Sequence, residues 1–298
     1  MRADWMGTAM VLVSATAFGT LSILAKVAYS AGFEVYQLLA FRFVVASLGM
    51  WGIALALRQN PLRLPRRRLL QLFALGAAVY TAQSLTYFLA LQALPASLCI
   101  LIVYIYPSLV VIAGWLFLRR SITRWHGIAL MSSFLGVALL LGGARFTLAW
   151  ALILAIAAPM IYTTYILLGE RLMASVPAVG ASAVIFTGAA LAFCALGAFS
   201  HQLVLPRGAS GWAVGIGIAV VPTMIAISFF MAGLPRIGAN RASLLSTWEP
   251  VVTVLLAVIL LGDRLSLVQA VGGLLVLLAV VVVQAAHLWR PGPQVVLK

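Results

Sequence analysis

The chain has 298 residues, 64% of them hydrophobic and 8% charged, with a formal net charge of +14 and a mean hydropathy of +1.16. Too few charged side chains are present to form the polar shell of a water-soluble domain, so the chain has to reside in lipid. The positive charge falls in short segments between apolar runs rather than on a polar module, which excludes a nucleic-acid-binding surface.

Ten apolar runs, each near the ~20 residues a helix needs to cross hydrocarbon, succeed one another along the chain. The first, Trp5 to Ala28, presents Ser14 and Phe18 on one face. Its length and the even division of spans it preserves argue against a cleaved signal peptide. The second, Phe33 to Leu57, carries Arg42 well inside the span, where a guanidinium costs on the order of 3 kcal/mol and needs a partner. Glu34 sits close to the entrance of the same span, and Arg42 is expected to hold packed helices together. The third, Leu69 to Leu91, places Tyr80, Gln83, Ser84 and Tyr87 on one face by the i, i+3, i+4, i+7 rule. Three or four polar-tipped groups on one mid-membrane face would be wasted against lipid. The fourth, Ala96 to Leu118, aligns Ser97, Tyr104, Pro107 and Ser108, and the fifth runs from Trp125 to Leu141.

The sixth run, Leu148 to Leu168, offers Pro159, Tyr162 and Thr163; the seventh and eighth run from Ala178 to Ser200 and from Gly211 to Met231. The ninth, Ala239 to Leu261, is the most informative, because it holds the single carboxylate Glu249 and the helix breaker Pro250 in mid-span. An ionised group at that depth should face a wet cavity, a partner or a passing substrate. Proline there frees a backbone carbonyl, tolerated where protein or water re-satisfies it. Ser243 and Ser246 lie beside Glu249, whereas Trp248 points to the other side of an unbroken helix and enters the polar face only if the helix unwinds before Pro250. The tenth run is Leu267 to His287.

With the N-terminus inside, fourteen of the nineteen lysines and arginines fall on cytoplasmic segments, Arg58 to Arg68 being the densest, and the positive-inside rule places both termini in the cytoplasm. Sliding the chain by 143 residues brings Ala96 onto Ala239, Pro107 onto Pro250, Val111 onto Val254 and Thr123 onto Ser266, superposing spans three to five on eight to ten. Five is odd, so the second copy enters from the opposite side. The expected fold is therefore an all-α integral membrane protein of ten transmembrane helices, two inverted five-helix repeats with both termini in the cytoplasm. Residues 1–144 and 145–298 are its halves, forming one transporter domain. Such repeats place a substrate near the midplane, where helices are interrupted, and Pro107 and Pro250 are the candidate kinks or gates.

Enzyme chemistry finds no foothold. Cys99 and Cys194 lie in different spans, His126, His201 and His287 are scattered near span ends, and neither lysine comes after glycine as a phosphate-binding loop requires. No metal site, cofactor, ATP hydrolysis or nucleophile and base pair is expected. The candidate substrate-binding residues are Tyr80, Gln83, Tyr87, Tyr104, Ser243, Ser246, Glu249, Phe18, Tyr162 and Trp248.

Three stretches carry a family resemblance. FGTLSILAK from Phe18 to Lys26, FRF from Phe41 to Phe43, and WEPVVTVLLAVILLGDRLS from Trp248 to Ser266 resemble the first-, second- and ninth-helix motifs of the drug/metabolite transporter superfamily, in its ten-helix EamA-type branch. The likeness extends over essentially the whole chain. LRRSIT, from Leu118 to Thr123, departs from it, with arginine where the family usually has an acidic residue before arginine. The resemblance implies export or exchange of small metabolites across a bacterial inner membrane, amino acids being a frequent substrate class and aromatic amino-acid exporters the nearest branch. Small molecules and the bilayer are the expected partners, and no obligatory protein partner is implied. Proton-coupled efflux of drugs or organic cations through Glu249 is a second expectation, since tyrosine walls also suit cations. A non-transporting membrane assembly or lipid-handling protein is a third, and it would have tightly filled space between the halves.

Overall fold

The computed structural model describes residues 5–118, 124–142, 149–173 and 176–289, and among them every regular element is helical. Ten helices of the described residues are long and apolar enough to cross a membrane: Trp5–Ser30, Val35–Ala56, Arg66–Ala93, Ala96–Phe117, Arg124–Leu141, Ala149–Leu172, Ala178–Phe199, Gly208–Ile237, Leu244–Leu261 and Leu267–Gln284. They are the ten runs expected from the sequence. The third begins earlier than the apolar run, because Arg66, Arg67 and Arg68 form its first turn behind Pro65. The turn around Gly143 and the LRRSIT segment after Leu118 lie outside the described residues.

Packing obeys a two-fold rule. The first span lies on the eighth and the sixth on the third; the first also meets the ninth as the sixth meets the fourth; the second packs on its own counterpart, the seventh, as the fifth does on the tenth. A pair of inverted five-helix repeats produces this pattern, in which each contact reappears when repeat partners are exchanged. The fourth and seventh spans are the most enclosed, with 67% and 61% of their apolar 18-residue stretches buried against 28% in the fifth. Large apolar groups such as Phe117 and Leu267, 74% and 82% exposed, face lipid.

Lipid tails are as apolar as leucine, so helices must attract one another through close packing rather than through exclusion of water. Glycines supply the closeness. A Cβ at Gly136 of the fifth span would lie 2.6 Å from the carbonyl oxygen of Gly272 of the tenth, and one at Gly272 would lie 2.6 Å from that of Gly136. Gly76 and Gly188 bring the third and seventh spans together in the same way, each backbone facing the other helix's backbone.

Five spans are irregular, and four of them pair as repeat partners. The fourth is split into Ala96–Val103 and Tyr106–Leu118, the ninth into Ala239–Ser246 and Trp248–Leu261. Tyr104 and Thr247, at the two breaks, are repeat mates. Pro107 and Pro250 do not kink continuous helices; they stand in the first turn of the helices that resume, where a missing N–H has no bond to lose. The third and eighth spans each contain a wide turn, Leu75–Tyr80 and Val220–Ile225. In both, a threonine hydroxyl donates to the carbonyl five residues back, Thr81 to Gly76 at 2.9 Å and Thr223 to Ile218 at 3.1 Å. The first span breaks between Gly19 and Leu21, where Thr20 Oγ1 donates to the Ala17 carbonyl at 2.7 Å. Thr253 of the ninth span donates to the Gly19 carbonyl at 2.9 Å and holds that break open.

A further cross-tie joins the two repeats. Asp263, in the turn after the ninth span, accepts from the backbone N–H and the hydroxyl of Ser97 at 3.0 and 2.8 Å, satisfying orphan donors at the start of the fourth. The fourth span's opening helix, Ala96–Val103, is buried at every residue, whereas Arg241 and Leu244 to Ser246 in its counterpart retain exposure.

Gly272→Val should lower the thermal stability of the detergent-solubilised protein by about 1 to 3 kcal/mol equivalent, the usual cost of overpacking. Gly217→Ala, where a Cβ meets nothing within 4 Å, should leave it unchanged in a fluorescence-detected melting series. Asp263→Ala should expose Cys99, now 0% accessible, to a small maleimide faster than in the unaltered chain, measured by mass spectrometry.

Candidate functional site

Between the two halves lies a cavity of about 340 Å³, large enough for a small organic molecule. The third span contributes Tyr80, Gln83, Ser84 and Tyr87, the whole face expected from spacing. The wide turn Leu75–Tyr80 leads into that face, and such a turn shifts the direction of the side chains C-terminal to it. Across the cavity Ile227 and Phe230 of the eighth span supply a more apolar wall.

Tyrosines form a continuous arc. The Tyr80 ring lies 4.9 Å from Tyr165, Tyr165 stacks on Tyr162 at 5.9 Å, Tyr162 meets Tyr106 edge-on at 4.9 Å, and Tyr106 meets Tyr104 edge-on at 5.8 Å. Centroid separations of this size are those at which rings attract, and each contact contributes about 0.5 to 1.5 kcal/mol beyond burial. The arc ends at Glu249, whose Oε2 accepts from the Tyr104 hydroxyl at 2.9 Å. That hydroxyl also approaches the Ser246 carbonyl at 3.3 Å, a group left without its helical partner where the ninth span breaks. At the other end, Tyr80 packs on Phe186 and edge-on to Phe43, itself stacked on Phe193.

Arg42 stands beside Tyr80. Its guanidinium lies 4.8 Å from the Phe43 ring centroid and 5.5 Å from that of Phe88, its Nε donates to Thr223 Oγ1 at 3.0 Å, and the Tyr80 hydroxyl is within its reach. Glu34 is not its partner: that carboxylate caps the second span reciprocally with Gln37. Among the described residues no salt bridge neutralises Arg42. Tyr87 lines the same cavity as Arg42 and Glu249 and shares a 2.6 Å hydrogen bond with Ser22.

Of the candidates named from the sequence, Phe18, Tyr80, Gln83, Tyr87, Tyr104, Tyr162, Ser246 and Glu249 line this one cavity. Trp248 does not. It is 43% exposed, with its indole donating to Thr16 Oγ1 at 3.2 Å, because the break at Thr247 leaves it on the outer side of the bundle. The side chain of Ser243 lies outside the described residues. Pro107 and Pro250 stand behind the cavity at the helix breaks. Ser14 is bonded to the Ala226 carbonyl at 2.6 Å, Ser97 to Asp263, and Thr163 to the Pro159 carbonyl at 2.8 Å, so these hydroxyls serve packing.

Sequence reasoning missed Ser22, Tyr106, Tyr165 and Ser182, and gave Arg42 only a packing role. Ser22 is four residues from Phe18 and Tyr165 three from Tyr162, spacings that point to the same faces. Tyr106 carried no such signal, because the break before it alters the helical phase. No cluster of metal-ligating side chains occurs among the described residues.

Comparison with known proteins places this architecture. The EamA-like transporter family matches the chain twice, over residues 5–142 and 149–284. The uncharacterized transporter YcbK of Bacillus subtilis is 28% identical over 285 residues, covering 89% of this chain and 88% of that one. An uncharacterized transporter of Archaeoglobus fulgidus is 34% identical over 71 residues, 24% of this chain and 26% of its own length. A solved crystal structure shares the fold with a TM-score of 0.64 and 20% identity over 97% of this chain and 99% of the other. With both halves matched, their helices paired by a two-fold rule and a polar cavity between them, the chain belongs to the EamA-like transporter family.

Proposed function

We propose that this protein is a secondary transporter that exports or exchanges amino acids, aromatic ones among them, across a bacterial inner membrane by alternating access. The observation that carries the reading is the tyrosine arc running from Tyr80 to Tyr104 along a midplane cavity and ending on Glu249. Stacked phenols offer flat apolar faces to a ring and hydroxyls to polar groups, so a solute leaves water without losing every hydrogen bond. Glu249 stands where an ammonium would gain a counter-charge. Residues 1–144 and 145–298 act as the two rocking halves, with both termini in the cytoplasm and no cofactor or obligatory protein partner required.

A second reading, proton-coupled efflux of organic cations, is favoured by the same carboxylate surrounded by π-faces, which attract cations. It needs Glu249 to exchange a proton for the solute. Lipid handling or a purely structural role is disfavoured by the open space between the halves.

Purified protein in liposomes should accumulate labelled phenylalanine, methionine or threonine above leak. Folded protein that leaves all three at leak level removes the amino-acid reading. Tyr104→Phe keeps the ring and deletes the bond to Glu249, and should lower apparent affinity about 5- to 100-fold, as expected when a charged acceptor loses its donor. Under the cation reading, Glu249→Gln abolishes proton-driven accumulation of a cation while leaving its binding detectable.

A further inference from the structure

Arg42 is more than a packing residue. It is 3% exposed, sits in the interior of the second span and lines the cavity between the halves. A guanidinium has five N–H donors in a planar fork. Nε is used by Thr223, the Tyr80 hydroxyl takes a second direction, and the ring faces of Phe43 and Phe88 cover the plane. No carboxylate of the described residues pairs with it, although a cation held in a bilayer without a counter-ion is strongly disfavoured. Aromatic faces and a threonine hydroxyl offset part of that cost and orient the fork, but they supply no negative charge.

We propose that Arg42, positioned by Thr223 and Tyr80, is the carboxylate-recognition residue of the cavity, so that the transported solute carries a carboxylate and docks it there. The inference rests on the amino-acid reading above and sharpens it. A planar fork matches a carboxylate in two parallel hydrogen bonds, which a lysine cannot reproduce. With the carboxylate at Arg42, the rest of the solute extends along the tyrosine arc towards Glu249. The cavity then carries one cation on the second span and one anion on the ninth, with Tyr87 in the same lining, and among the described residues neither is paired with an opposite charge. Such a surface suits a solute that itself bears both charges. A plain amine leaves Arg42 bare, and a plain acid leaves Glu249 facing the apolar end of the solute.

Three ligands of one ring size separate the possibilities: phenylalanine, phenethylamine, which lacks the carboxylate, and 3-phenylpropionate, which lacks the amine. Binding to detergent-purified protein is measured by competition with labelled phenylalanine and by direct calorimetry. The unaltered chain should prefer phenylalanine to phenethylamine about 10- to 100-fold, the discrimination of a site whose buried charge is left unpaired by the wrong ligand. In Arg42→Gln that preference should fall to within about threefold, with phenethylamine affinity unchanged. Should Arg42→Gln fail to fold, Arg42→Lys and Thr223→Val carry the test, the first keeping the charge and the second removing only the hydroxyl that orients the fork. Both should weaken phenylalanine and 3-phenylpropionate and spare phenethylamine. Phenylalanine bound by folded variants as tightly as by the unaltered chain overturns the role of Arg42 alone. Phenethylamine bound as well as phenylalanine by the unaltered chain overturns the carboxylate subsite in favour of a cation site. Absence of binding by all three to folded protein removes the amino-acid reading and this inference with it.

Discussion

Hydrocarbon offers no hydrogen bonds, and the rest of the structure is shaped by that one deficiency. Polar atoms in mid-span are driven to find a partner inside the bundle or to face a space that water or solute can fill, and the buried hydroxyls of Ser108, Ser133 and Ser228, which have no hydrogen-bond partner, are exceptions. Ser14, Ser97, Thr163 and Thr253 take the first course through bonds to neighbouring backbone or to Asp263. The hydroxyls of the tyrosine arc, the Glu249 carboxylate and the Arg42 guanidinium take the second. Their common orientation therefore defines the cavity, and the cavity in turn defines which helices must leave room for it.

Room is made by bending the rules of the helix at repeat-related places. Breaks at Tyr104 and Thr247 and the wide turns Leu75–Tyr80 and Val220–Ile225 lie in spans that border the cavity, while the second, fifth, sixth, seventh and tenth spans run unbroken, the sixth carrying Tyr162 and Tyr165. Glycine contacts lock the spans behind it, Gly136 against Gly272 and Gly76 against the Ile185 backbone. The site is thus built on rigid outer pairs with irregular inner helices, an arrangement in which hydrogen bonding can shift without the packing of the bundle being lost.

The architecture was legible because it is written in long apolar runs and in charge bias, signals summed over about 20 residues at a time. The face of the third span was legible too, since Tyr80, Gln83, Ser84 and Tyr87 obey simple helical spacing. Where the backbone departs from the ideal helix, the same arithmetic fails. It allowed Trp248 to enter the cavity if the helix unwound before Pro250, whereas the break at Thr247 leaves that indole outside; it placed the interruption at Pro107 and Pro250 rather than three residues earlier, and gave no hint of Tyr106. Arg42 was visible as an oddity, but its relation to Thr223 depends on a contact between residues 181 positions apart, which no local pattern encodes.

The tie between Asp263 and Ser97 joins the two repeats through a charged acceptor. In the register of the repeat these two residues correspond to Arg120 and Asn240, so a cation stands in the sequence where its repeat mate is the carboxylate of the tie. The duplication is therefore chemically unequal at this turn: removing the one carboxylate at position 263 deletes a link for which the matching position of the other half holds no acid.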